Sequence, residues 1–187
     1  VTRVLLLLLL VAGCAGPDKP FTPRQAERPT GQAVASTPSA EVITIDEQMS
    51  VSVEWPAGAD TTMLRAFTDL YLDSWRSVFT GSQAYLELVE PPASAQAHDW
   101  VKSFDGAKVK GSARLYSLRV SAVVDDGAEV NACVDETGVR LLNRSGNVHT
   151  RQPRWTRTPY LQAVVLHKGQ DGTWRVKDFR HDLKGCA

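Results

Sequence analysis

The chain is short of cysteine, has no excess of either charge and contains only one long apolar run, and each shortage removes a class of function. Lysine plus arginine and aspartate plus glutamate number 21 each among 187 residues. Such a balance generates no long-range field, so nucleic acid is a poor general partner. The one unbroken aliphatic run, Val4 to Val11, cannot cross a hydrocarbon core of about 30 Å, which takes about 20 apolar residues. The three cysteines, Cys14, Cys133 and Cys186, show no Cys-x-x-Cys and no Cys/His ligand spacing, so a metal site finds no support. No internal repeat recurs, no two acids or histidines pair by spacing, and no nucleophile motif accompanies them. No cofactor is implied.

What is present begins at the N-terminus. Val1-Thr2-Arg3 is a short basic start, Val4 to Val11 an apolar centre, and Ala12-Gly13 a small-residue end, the three parts of an export signal. Val1 reads as an alternative start codon, which would place methionine there. Val11-Ala12-Gly13-Cys14 resembles the lipobox of bacterial lipoproteins. That resemblance implies that Cys14 is joined to diacylglycerol and becomes the new N-terminus on cleavage. One acyl chain holds a protein to a membrane only marginally and two hold it stably, so such a cysteine suffices as an anchor. The expectation is a signal over 1–14 and a lipid-anchored protein on the extracytoplasmic face of the cell membrane. In that oxidising compartment the remaining two thiols favour a disulfide over free cysteines.

Residues 15–40 mix Pro17, Pro20, Pro23, Pro29 and Pro38 with Ser, Thr, Gln, Ala and Gly. Too little there can be buried to offset ordering, so a Pro-rich disordered tether is expected. A single domain then fills 41–187, with 43% hydrophobic residues in the whole chain to supply its core.

Within that domain, 41–55 reads as a short strand ended by Pro56. Asp60 is placed to cap a helix running to about Thr80, with Leu64, Phe67, Tyr71, Trp75 and Val78 on one face and Gly81 as its stop. A short helix over 82–90 and another after Ser94, burying Ala97, Trp100, Val101 and Phe104, are expected next. After Gly111 the period becomes two. A strand over 112–124 puts Tyr116, Leu118, Val120, Ala122 and Val124 on one face, and Asp126-Gly127 supplies a hairpin turn. A strand over 128–143 sets Ala128, Val130, Ala132 and Val134 against Glu129, Asn131, Cys133 and Asp135. Two more strands, 159–168 and 173–181, meet at Asp171-Gly172. Helices followed by a four-stranded antiparallel meander make an α+β plan, because neither layer buries its apolar side alone.

The Trp75-containing helix, Gly111 before the long strand, the run Ala128 to Asp135, the segment Asp171 to Asp178 and the final Cys186 together resemble the NTF2-like (SnoaL-like) lipoproteins of actinobacteria. The resemblance covers roughly two-thirds of the chain. It implies a cone in which N-terminal helices pack on a curved antiparallel sheet, and a disulfide between Cys133 and Cys186. Closing a loop of that length would contribute roughly 4 kcal/mol as an upper figure. The scaffold hosts enzymes, receptors and assembly modules alike, so it says little of activity.

Enzymes of that fold place an acid or base in the mouth of the cone, where the candidates would be Asp135, His98, His149, His167 and His181. None has a companion group, so no catalytic residue is assigned. An aromatic set of Tyr71, Trp75, Trp100, Tyr116 and Trp174, with Asp135, could line a pocket, although it equally suits a helix-on-sheet core. The segment holding Arg140, Arg144, His149, Arg151, Arg154 and Arg157 around Trp155 is the most unusual composition. Arg151, Arg154 and Arg157 could contact an anionic surface, since arginine suits oxyanions and Trp anchors interfaces. A solvated hairpin is the plainer account. The leading expectation is a non-catalytic, membrane-anchored domain that binds an envelope protein or a small apolar ligand. The alternatives are an isomerase-, cyclase- or dehydratase-type enzyme, or a structural subunit of an envelope assembly.

Overall fold

The computed structural model describes residues 39–58 and 61–186. The signal over 1–14, with Cys14, and nearly all of the tether expected over 15–40 lie outside the described residues; Ser39 and Ala40 already belong to the first strand. Among the described residues no helix is long and apolar enough to cross a membrane.

Among the described residues, seven strands and two α-helices form an α+β cone. The strands are β1 (Ser39–Asp46), β2 (Met49–Trp55), β3 (Lys108–Val124), β4 (Gly127–Asp135), β5 (Arg140–Leu142), β6 (Tyr160–Lys168) and β7 (Trp174–Asp182); the helices are α1 (Thr61–Thr80) and α2 (Ala93–Lys102). Strand order is β1-β2-β3-β4-β6-β7, with β5 also on β3. The α1 face read from the sequence is the buried one: Leu64, Phe67, Tyr71 and Trp75 meet the inward residues Val51, Val53, Leu115, Val130, Val134, Val164 and Val176. Gly81 ends the helix at φ 70°, with its N–H donating to Ser77 O. Cys133 and Cys186 are bonded, Cα atoms 5.7 Å apart, which ties the last residues to the middle strand.

Several expectations need correction. The single strand over 41–55 is a hairpin, and β2 runs parallel to β3, so the sheet is larger than a four-stranded meander. The helix expected over 82–90 is a short 3-10 turn, Ala84–Leu88. The β3–β4 turn is Asp125-Asp126, with Asp125 at φ 50°, one residue before the turn expected.

Two of the differences shape the site. Ser117 sits at φ 54° in a bulge, so two residues of β3 (Ser117 and Leu118) oppose one of β4 (Ala132). An extra residue reverses which way the following side chains point. Tyr116 therefore faces the opposite side from Leu118, contrary to the single-face reading. The strand expected over 128–143 is interrupted at 136–139, after which β5 resumes pairing with β3. Here the two backbones nearly touch. A side-chain carbon on Gly111, at φ 117°, would overlap the carbonyl oxygen of Gly138, and one on Gly138 would crowd Ser112.

Candidate functional site

The helices do not fill the cone. A cavity of about 510 Å3 lies between α1, α2, the 154–155 segment and the ends of β6 and β7. Phe67, Leu70, Tyr71, Ala97, Trp100, Trp155, Phe179 and Leu183 form its apolar wall. Its polar contribution is Ser74, Gln96, Arg154, Tyr160, Gln162 and His181. Mostly apolar lining with a few polar groups, at this size, is the usual make-up of a small-molecule site.

One face of α1 builds the wall because Phe67, Leu70, Tyr71 and Ser74 recur at three- and four-residue steps. Gln152 brings the opposite wall in. Its Oε1 accepts from Leu141 N at 2.9 Å and its Nε2 donates to Leu141 O at 3.0 Å, which pins the loop carrying Arg154 and Trp155 to β5. Trp155 then packs at 6.4 Å from Trp75 and 5.9 Å from Phe104.

Behind the cavity lies a buried acid. Glu136 is only 1% exposed. Tyr71 Oη donates to its Oε1 at 2.7 Å, and Tyr160 Oη to its Oε2 at 3.0 Å. Both tyrosines line the cavity, whereas Glu136 does not. Burial pushes the Glu136 carboxyl up to about 7, outweighing the two hydroxyls and the Trp75 indole, which favour its charge. That indole Nε1 is near enough to act on the carboxyl, yet it is buried with no acceptor in hydrogen-bond geometry. Burial, and then the Glu136 charge, push both tyrosine hydroxyls up from their ordinary value. At the mouth His181 stands edge-on to Tyr160, with ring centres 5.8 Å apart, and partial desolvation lowers its pKa.

The residues singled out from sequence separate here. Tyr71 and Trp100 line the cavity; Trp75 lies fully buried beneath, edge-on to Trp100 at 5.0 Å. Tyr116 is not part of it: the Ser117 bulge turns its ring to the other face, under the guanidinium of Arg114 at 4.6 Å. Asp135 is not part of it either. It points away from the inward series and accepts from Thr137 N at 2.9 Å and Thr137 Oγ1 at 2.7 Å, closing the turn after β4. Trp174 sits at the start of β7 beside Lys168, outside the lining. His167 bonds Glu90 at 3.0 Å, His98 meets Tyr85 Oη at 3.3 Å beside a separate cavity of about 150 Å3, and His149 is exposed. Arg140, Arg144, Arg151, Arg154 and Arg157 are all exposed, and none is in an ion pair among the described residues; Arg154 alone reaches the cavity. Among the described residues no group of three His, Cys, Asp or Glu could hold a metal.

Sequence reasoning missed Glu136, although a signal was there. The inward series Ala128, Val130, Ala132, Val134 continues by twos to Glu136, which places an acid on the core face.

No protein-family model matches the chain, and no curated protein matches it in sequence. Solved structures resemble it in shape. A protein of Novosphingobium aromaticivorans assigned as an aromatic ring hydroxylase aligns over 67% of this chain and 92% of its own at 15% identity, TM-score 0.46. One of Shewanella frigidimarina assigned as a ketosteroid isomerase aligns over 67% and 98% at 10% identity, TM-score 0.36. The association domain of C. elegans CaMKII aligns over 66% and 99% at 17% identity, TM-score 0.37. At such identities and scores these likenesses carry nothing about activity.

Proposed function

We propose that this chain is a lipid-anchored extracytoplasmic protein of the NTF2-like lipoprotein kind, whose cone binds a small, largely apolar ligand without transforming it. One observation carries the binding reading: an aromatic-walled cavity of about 510 Å3 that the core leaves open. Wall residues such as Trp100 and Trp155 offer large apolar area, and the few polar groups would orient what enters. The anchoring reading rests on the lipobox-like residues ending at Cys14.

The alternative, an enzyme of the isomerase, cyclase or dehydratase type, has one observation behind it: an acid held at about 7 next to the cavity floor. The geometry argues against direct proton transfer. Both carboxyl oxygens are already met by tyrosine hydroxyls, and the acid lies off the lining. A substrate would reach Glu136 only if Tyr71 or Tyr160 moved.

The test uses phenylnaphthylamine, a neutral apolar dye that fluoresces when shielded from water. The full chain carrying Cys14→Ala should bind it, and Gln96→Trp, a change at an exposed lining residue, should abolish binding while leaving the thermal melt unchanged. Absence of binding, or binding indifferent to Gln96→Trp, would overturn the cavity reading. Cys14→Ala should also move the protein out of the membrane fraction; tight retention would reject the lipid anchor.

A further inference from the structure

The cavity's charges are one-sided. Of the residues lining it, Arg154 alone carries a permanent charge, and no carboxylate is among them. Arg154 has no ion-pair partner and no hydrogen-bonded acceptor among the described residues. It is nonetheless held in place, because Gln152 pins the loop just before it and the Trp155 ring is packed among Trp75 and Phe104 just after. A solvated guanidinium with no protein partner, carried on a pinned loop at the edge of an apolar chamber, is open to a ligand that supplies an anion.

The opposite end of the chamber bears on the same point. Its floor is formed by Tyr71 and Tyr160, whose hydroxyls are committed to Glu136 immediately behind. A carboxylate or sulfonate pushed inward would meet only neutral donors, the Ser74 hydroxyl and the Gln162 amide, and would lie near a second acid. The mouth offers Arg154, with Gln96 on the same lining as a further donor.

Resting on the reading of the cavity as a ligand site, we propose that its ligand is an amphipathic acid: one anionic head group paired with Arg154 at the mouth, and an apolar body laid between the aromatic walls toward Tyr71 and Tyr160. The floor acid sets the direction of entry, head outward.

Two dyes of one skeleton test this: anilinonaphthalene sulfonate, which carries the anion, and phenylnaphthylamine, which lacks it. Titrated into the full chain carrying Cys14→Ala, the sulfonate should bind about tenfold more tightly, the contribution expected of one charge-assisted pair. Arg154→Gln should bring the sulfonate down to the affinity of the neutral dye, whose continued binding reports an intact cavity. Arg154→Lys should recover part of the preference. Equal affinities in the parent, or a preference that survives Arg154→Gln, would overturn the acidic-ligand assignment while leaving the cavity reading standing. Failure of both dyes to bind would remove the cavity reading and this inference together.

Discussion

Glu136→Gln removes a charge that the fold holds at a cost, and the cost has a calculable dependence on pH. Burial raises the carboxyl from an ordinary 4.5 to about 7. At about 1.4 kcal/mol per pKa unit, ionising Glu136 in the folded chain costs roughly 3 kcal/mol more than in the unfolded chain. Between those two values the folded chain keeps a proton that the unfolded chain has released. Stability therefore declines as pH rises from about 4.5 to about 7, and levels off above. The amide variant does not titrate. It can still accept from one tyrosine hydroxyl and donate to the other, so the shape of the cluster is retained. Urea denaturation of both proteins from about pH 5 to about pH 8 should show the variant gaining roughly 2–3 kcal/mol relative to the parent across the range. That corresponds to about 4–12 °C in melting temperature for a domain of this size. His181, desolvated in both proteins, drops out of the difference. A difference that stays constant from acid to alkaline pH would refute the reasoning, because Glu136 would then have an ordinary pKa or remain solvated.

Three further outcomes are expected. Gly111→Ala, at a positive φ and against the Gly138 carbonyl, should cost about 3 kcal/mol or more; an unchanged melting curve would contradict the close approach of β3 to the 136–139 segment. Replacing Cys133 and Cys186 together by Ser should lower stability by up to about 4 kcal/mol and make the last residues susceptible to protease, whereas equal stability would deny the bridge its structural role. Arg151 and Arg157 changed together to Ala, with Arg154 kept, should weaken salt-dependent attachment to anionic vesicles if that loop meets a membrane. Attachment unaffected by salt and by the substitution would discard surface docking and leave Arg154 to the cavity alone.

The elements with strong local periodicity were legible before any coordinates. The three-four spacing of Leu64, Phe67, Tyr71 and Trp75 predicts α1 and its buried face, and alternation predicts β4, β6 and β7. The oxidising-compartment argument and the resemblance lead to the bridge that joins Cys133 to Cys186. Tyr116 shows where such reading fails. Period two holds only while the register does: the Ser117 bulge puts Tyr116 on the other face from Leu118, and a further register shift between Val120 and Ala122 breaks the alternation again.

Sequence by itself determined what depends on neighbours along the chain: the helices, the alternating strands, the aromatic supply and the lipobox-like end. Tertiary structure decided what depends on distant segments meeting. The parallel pairing of β2 with β3 is one such case, and so is the convergence of Tyr71, Tyr160 and Glu136 from two strand-linked segments and a helix. The cavity is another, since whether aromatic side chains close on each other or leave a space is set by backbone separation across the cone. Residue types supply the wall, and only the packed distances decide that it encloses room for a ligand.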